Sequence, residues 1–428
     1  MLKVAPRIAL FDTPVVISAG QLMPKQKITI QAYIDHASGK FESFARFVAD
    51  DNGNINLTTA PSIGGSYEGI HPMALFTTLE QSPGQREGLL FAPRRAHQPV
   101  IYRFRMLNGH GEANRSDCIT ETLVERHFLH PAVERREIEI GRLRGTFFCL
   151  KGFTGKQPAL IDITGTGGGL MEHRGALLAS KGFAVLSLAY FAYKDLPNTM
   201  DQIDLNYFEE AIDWLSGLPN TSDQLGFVGK SLGGAIAVLA GIRYQKLKAI
   251  VPINGFHMLD SFNSLKENGI PLPSVSPNMS SENLTSGALR YADFLADIPT
   301  TEDRVFHIED CASDIYWHFM ASGDDGCCCS EKSARILEKR LIDAGKGRQV
   351  QVTILQNAGH ILEPPFMPHS AKAWHKNAGA HVLWGGDKYC HAKGQEEMWV
   401  KLVAFLREKL GIPPVVPAFT APAPKSLL

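Results

Sequence analysis

Neither sign of charge is in excess in this chain. Its 43 Lys and Arg stand against 44 Asp and Glu, a net charge of -1 over 428 residues. That balance gives no basic field for nucleic acid or for an acidic membrane surface, so any anionic ligand has to be met by a local patch. Long apolar runs are missing too. No stretch approaches the roughly 20 apolar residues of a bilayer-spanning helix, and Met1 to Leu10 lacks the apolar core of a secretory leader. A soluble, non-secreted chain is expected. Cysteine is sparse: seven residues, an odd number, are scattered as Cys118, Cys149, Cys311, Cys327, Cys328, Cys329 and Cys390. This is a poor fit to a disulfide framework. The run Cys327-Cys328-Cys329 lacks the spacer that lets two side chains converge on one ion. No metal and no other cofactor is expected.

What is present is a globular composition, 44% hydrophobic and 20% charged. The length allows a large α/β domain with a smaller one. The first third reads as β structure. Residues 27–34 alternate, and within 100–106 Val100, Tyr102, Phe104 and Met106 share one face while Arg103 and Arg105 share the other. A period of two is that of a half-buried strand. Residues 121–129 and 136–150 continue the pattern, with turn-forming breaks at 50–54 and 108–111. Short strands between such breaks predict an all-β, immunoglobulin-like sandwich over 1–150, with a structural or specificity role.

At 151–156 a polar, glycine-bearing break changes the period. From there strands alternate with helices, the pattern of a mostly parallel sheet covered on both faces. Strands are expected at 159–163, 183–188, 225–228, 249–253, 315–321 and 350–355, and helices at 170–181, 206–218, 234–244, 331–344 and 395–410. Residues 256–305, rich in Ser, Asn and Pro, read as an insertion over the carboxyl ends of the strands, where a lid or pocket wall belongs. The α/β domain is expected to span 151–412, and the Pro- and Ala-rich end 413–428 to be disordered.

Gly229-Lys230-Ser231-Leu232-Gly233 lies between the short apolar strand 225–228 and an apolar, small-residue helix. This is the setting of a nucleophile elbow, in which a sharp strand-to-helix turn lifts a serine hydroxyl clear of the sheet. Ser231 is therefore the candidate nucleophile; a turn that merely carries these residues is the alternative in a chain with 39 glycines. A serine needs a base to take its proton and a carboxylate to hold that base in the right tautomer. In an α/β-hydrolase these follow in the order serine, acid, histidine, each after a later strand. Asp324 and Asp325 follow one expected strand and His360 the next. His360 is the candidate base and Asp325 the candidate acid, with Asp324 its rival. An oxyanion would be held by the Leu232 N–H and by one from the loop Thr164 to Gly169, where Gly167 and Gly168 are the candidates. A dinucleotide-binding loop is the other reading of those glycines. Its third-glycine spacing is wrong, and the next strand runs into Ala189-Tyr190-Phe191 without an acidic residue.

Several blocks carry a family resemblance over nearly the full length. They are GSYEGIHPMAL (65–75), GRLRGTFF (141–148), IDITGTGGGLMEHRGALLASKGFAVLSLAYFAYKDLP (161–197), GKSLGG (229–234), AGHILEPPF (358–366) and LWGGD (383–387). In these the chain resembles the type I acyl-CoA thioesterases and their relatives, the bile acid-CoA:amino acid N-acyltransferases. The resemblance implies an amino-terminal β-sandwich, a carboxy-terminal α/β-hydrolase domain and a triad at Ser231, Asp325 and His360. Two departures matter. The family usually has a His-Asn-Trp-like segment after the acid, where this chain has Gly326-Cys327-Cys328-Cys329, and the spacing from acid to histidine is one residue longer. The latter keeps Asp324 in play.

The expected activity is hydrolysis of fatty acyl-CoA through an acyl-serine. The alternatives are transfer of the acyl group to glycine or taurine, which resembling proteins with cysteine in the elbow perform, and non-catalytic acyl-CoA binding. The expected partner is the small-molecule substrate, without nucleic acid or stable membrane insertion. The expected compartment is the cytoplasm, with peroxisome and mitochondrion as alternatives; Ser426-Leu427-Leu428 resembles but does not match the Ser-Lys-Leu peroxisomal address.

Overall fold

Residues 157–163 and 184–189 show no polar-apolar alternation because both faces of the sheet they build are covered, and every residue in them is buried. They are central strands of an eight-stranded sheet. The computed structural model describes residues 1–111, 117–278, 284–285 and 287–421. Two units divide the chain, the larger formed by 132–362 and 371–417. Its strands are β1 (Val133–Ile140), β2 (Leu143–Leu150), β3 (Gln157–Ile163), β4 (Ala184–Ala189), β5 (Thr221–Lys230), β6 (Leu247–Ile253), β7 (Tyr316–Ser322) and β8 (Val350–Leu355). Their spatial order is β1-β2-β4-β3-β5-β6-β7-β8. The first two pairings, β1 with β2 and β2 with β4, are antiparallel; all the others are parallel.

Helices α1 (His173–Ala179), α2 (Asn206–Ser216), α3 (Leu232–Arg243), α4 (Ser330–Asp343) and α5 (Lys388–Leu410) fall in the five expected places, α1 shorter than expected and α5 starting seven residues earlier, at the Asp387 cap. In α3 all residues from Leu232 to Gly241 are buried, so this helix is apolar all round. The parallel strands all point their carboxyl ends to one edge of the sheet, the edge at which open α/β sheets bind ligands.

The smaller unit comprises 1–131, 363–370 and the end of the chain from 418. It contains a six-stranded sheet that includes the hairpin Lys27–His36 and Gly39–Val48, beside Val100–Asn108 and Cys118–His127, and a three-stranded sheet built on Leu2–Ala5 and Val16–Ala19. Its core is aromatic: Phe11 stacks on Phe128 with centroids 4.5 Å apart, and Phe76 packs on Tyr102 at 4.8 Å. Arg126 is buried among them. Its Nη2 donates to the Phe11 carbonyl at 2.8 Å and the Phe76 ring face lies 5.5 Å from the guanidinium, while burial pulls its pKa below the ordinary range.

The expected boundary at 150 is displaced. Residues 133–150 form β1 and β2 of the larger unit, Val133 opposite Leu150 and Arg144 opposite Ala189, and the division falls after Pro131. Alternation announces a half-buried antiparallel strand but not the sheet it joins. The end of the chain is also more ordered than its composition suggests. Pro413 is buried, and Phe419 packs 5.6 Å from the rings of His127 and His130. Residues 422–428, with Ser426-Leu427-Leu428, lie outside the described residues. Among the described residues no helix is long and apolar enough to cross a membrane.

Candidate active site

The elbow exists as a strained residue. Between β5 and α3, Ser231 has φ 59° and ψ -124°, a conformation costing a non-glycine residue about 1–3 kcal/mol. Its surroundings fix it there. The Ser231 N–H donates to the Ile253 carbonyl at 2.9 Å, and its own carbonyl accepts from Gly234 N–H at 2.8 Å to open α3. The turn closes because Gly229 has no side chain: a Cβ there would lie 1.9 Å from the Gly233 carbonyl oxygen.

At the end of β7 the two aspartates separate. Asp325, 6% exposed, accepts His360 Nδ1–H on Oδ2 at 2.8 Å. The same oxygen accepts the Ser330 hydroxyl, while Oδ1 accepts the backbone N–H groups of Cys327 and Cys328, each at 2.8 Å. Four donors thus saturate one carboxylate, fix the imidazole tautomer and leave Nε2 as the acceptor. Asp324 faces elsewhere, taking Arg290 at 2.9 Å and the Gly386 N–H at 2.8 Å. Burial works against a charged His360, yet the Asp325 carboxylate and the Cys327 sulfur hold its pKa above the ordinary range.

A buried network that sequence reasoning missed holds the loop of His360. Asn254, just past β6, donates to the His360 carbonyl at 2.8 Å and to Ser322 Oγ at 3.0 Å, while Ser322 Oγ donates to the Gly359 carbonyl at 2.8 Å. The carboxyl ends of β6 and β7 are thereby tied to the loop after β8. An asparagine at positive φ (48°) ending a strand was the available signal. From the other side, the Trp384 carbonyl accepts both the His360 N–H at 2.8 Å and the Gly326 N–H at 3.1 Å. Trp384 ends a hairpin, Lys372–His375 with Ala380–Leu383, that was also missed. Its turn signal is Asn377-Ala378-Gly379, with Gly379 at φ 62°.

The glycine loop after β3 passes against the serine: a Cβ on Gly165 would lie 2.9 Å from Ser231 Oγ. Of the two expected oxyanion donors in it, the Gly168 N–H is engaged by the Gly165 carbonyl at 3.2 Å. Gly167 has open space around it, and Thr166 is the loop residue that lines the cavity beside Ser231. Leu232 is the first residue of α3, so its N–H belongs to the free amino end of that helix. The loop is braced from below by the buried Arg174, which pairs with Asp162 at 2.6 Å and donates to the Ile163 carbonyl at 2.7 Å.

Ser231 opens into a cavity of about 190 Å³. The insertion supplies Phe256, Phe262, Tyr291 and Phe294, and the hairpin supplies Val382 and Trp384. The wall is mainly apolar and aromatic. Cys327 and Trp384 line it as well, and both lie against His360, the indole with 5.5 Å between ring centroids. The sulfur of Cys327, that of Cys328 and one His360 ring nitrogen all lie within 4.8 Å of one another. The hydrogen bond with Cys328 and the nearby imidazole hold the Cys327 thiol pKa below its usual range.

Strand order, elbow and the Asp325–His360 pair together define an α/β-hydrolase with a serine in the nucleophile's place. Residues 12–140 match the acyl-CoA thioester hydrolase/BAAT N-terminal region, and residues 203–412 the BAAT/acyl-CoA thioester hydrolase C terminal. The chain belongs to the acyl-CoA thioester hydrolase/BAAT family. Acyl-coenzyme A thioesterase 1 of Homo sapiens is 34% identical to it over 404 residues, covering 94% of this chain and 94% of the relative. The mitochondrial acyl-coenzyme A thioesterase 2 of Homo sapiens is 34% identical, over 94% of this chain and 82% of the relative. The peroxisomal succinyl-coenzyme A thioesterase of Mus musculus is 32% identical, over 94% of each. A solved esterase of Pyrococcus furiosus is similar at 13% identity and a TM-score of 0.40, covering 65% of this chain and 94% of that one. The fold is assigned here from the strand order and not from that likeness.

Proposed function

We propose that this chain hydrolyses fatty acyl-CoA through an acyl-enzyme on Ser231, with His360 as base and Asp325 as the residue that orients it. The observation that carries this reading is the apolar cavity with Ser231 in its wall, beside the two residues that pack on His360. Ser231 Oγ attacks the thioester carbonyl as His360 Nε2 takes its proton. Asp325 holds Nδ1–H and steadies the imidazolium. The oxyanion is held by the Leu232 N–H and by a loop amide, for which Thr166 is better placed than Gly167 or Gly168. CoA leaves as a thiol; with a thiol pKa of about 8.5 it asks little of the general acid. Water activated by His360 then releases the fatty acid.

An aromatic and aliphatic wall suits an alkyl chain better than the second carboxylate of a succinyl group. The smaller unit is assigned a structural or specificity role. The seven free cysteines suit a reducing compartment, and the cytosol is the proposed one. A fluorophosphonate probe tests the enzyme reading. It should label the wild-type chain and not Ser231→Ala, and the variant should lose acyl-CoA hydrolysis; equal labelling of both would sink the proposal.

A further inference from the structure

Beside the serine, His360 lies against two thiols, those of Cys327 and Cys328, that ester hydrolysis does not use. Ligand atoms of Cys327, Cys328 and His360 come within 4.8 Å of one another. We propose that these three residues bind one soft divalent cation, Zn²⁺ being the type, and that its occupancy reversibly switches off the hydrolase by taking the base. The switch rests on the reading of His360 as base; the site itself does not.

Geometry supports the ligand set. In a tetrahedral zinc site with bonds of about 2.0–2.3 Å, ligand atoms lie roughly 3.5–3.8 Å apart. A contraction of about 1 Å from the observed spacing reaches that value, and side-chain rotation alone can supply it. The support around the ligands is already in place. Asp325 accepts Nδ1–H of His360 at 2.8 Å, which leaves the Nε2 lone pair, on the side of the Cys327 sulfur, as the atom that can bind a metal. A carboxylate behind a histidine in this way is the arrangement that orients metal-bound imidazoles. The other oxygen of Asp325 accepts the N–H groups of both Cys327 and Cys328 at 2.8 Å. One buried carboxylate therefore fixes the backbone at both cysteines and the imidazole of His360.

The set also has limits that define it. Cys329, third in the run, is turned away with its sulfur on the Ala292 carbonyl at 3.3 Å. His375, the next histidine on the cavity wall, is occupied by Thr166 Oγ1 at 3.1 Å and the Ala378 N–H at 3.2 Å. Three protein ligands and an open fourth position result. Cys327 lines the cavity, so the ion enters by the substrate's route and the fourth position faces that space.

Binding balances in charge and protons. Each thiol loses its proton to solvent as its sulfur bonds the metal. Two thiolates then neutralise a doubly charged ion, which suits a buried and largely apolar place. The metal occupies the Nε2 lone pair that would accept the Ser231 proton, so hydrolysis stops until a chelator removes the ion.

The test uses the full, reduced chain held in a non-thiol reductant. Zn²⁺ affinity is measured by competition with a chromophoric chelator for wild type, Cys327→Ser and Cys328→Ser; serine keeps the backbone donors to Asp325. One ion per wild-type chain is expected, with affinity at least tenfold weaker in each variant. Cd²⁺ provides a second readout on the wild type alone, where a cadmium–thiolate charge-transfer band should rise to saturation at one equivalent. Zn²⁺ should inhibit hydrolysis over the concentration range in which it binds, and a chelator should restore it. Unchanged affinity in both variants, or no thiolate band, would overturn the site. Binding without loss of turnover would overturn the switch. Because the binding readouts need no turnover, a failure of the hydrolase reading is distinguishable from a failure of the site.

Discussion

The indole of Trp384 lies nearly parallel to the imidazole of His360, with 5.5 Å between ring centroids and 16° between ring planes. Its carbonyl accepts N–H groups from His360 and from Gly326, one residue past Asp325. One residue at the end of the late hairpin thus holds the loops of Asp325 and His360 together and covers one face of the imidazole. The LWGGD block has a physical reason in this clamp: Gly386 N–H meets Asp324, and Asp387 caps α5 through Tyr389 and Cys390 N–H groups at 3.0 and 2.9 Å.

Trp384→Ala should therefore lower kcat by about one to two orders of magnitude, the usual cost of a base that is held too loosely. Trp384→Phe, which keeps a ring over His360, should recover most of the loss. Steady-state kinetics on both variants check this, and equal loss in the two would remove the stacking argument.

The two aspartates make a sharper contrast. Asp325→Asn should lower turnover about a thousandfold or more, because an amide can present an N–H where His360 needs an acceptor. Asp324→Asn keeps one oxygen for Arg290 or the Gly386 N–H and should cost far less. The reverse ranking would move the orienting role to Asp324.

Acid stability depends on two histidines that are buried uncharged. Burial lowers the pKa of His257 and of His318 to about 4, with Lys332 and Lys401 acting in the same direction. Their unfolded value is 6.5, so between there and about 4 the unfolded chain binds protons that the folded chain refuses. Their contribution is complete above pH 6.5 and is lost as pH falls through that window. Thermal melts should show the decline, and His318→Gln and His257→Gln should each flatten it; an unchanged slope in both would contradict the assignment.

Legibility followed the kind of signal each residue carries. The elbow could be read because its glycines, its strand and its apolar helix are contiguous. Both loop partners, His360 and an aspartate, could be placed by their position after successive strands. Asp325 was preferred to Asp324 through the family resemblance, while the residues themselves left both open, since Asp324 is turned to Arg290, a residue 34 positions away in sequence. The sheet membership of 133–150 was hidden because a period of two is the same in either unit. The role of Asn254 was not legible, because its bond to the His360 carbonyl spans 106 positions. The nearness of His360 to Cys327 and Cys328 could not be read either, because it joins residues more than 30 positions apart in sequence.

The central claim is that the acyl group passes through Ser231, and a trapped intermediate tests it most directly. Wild-type and Ser231→Ala chains would be mixed with excess fatty acyl-CoA, quenched in acid within a turnover, digested and mapped by mass spectrometry. The account predicts the acyl mass on the peptide that carries Ser231, and its absence from Ser231→Ala. An acyl group found instead on Cys327, whose sulfur faces the same imidazole, would contradict it.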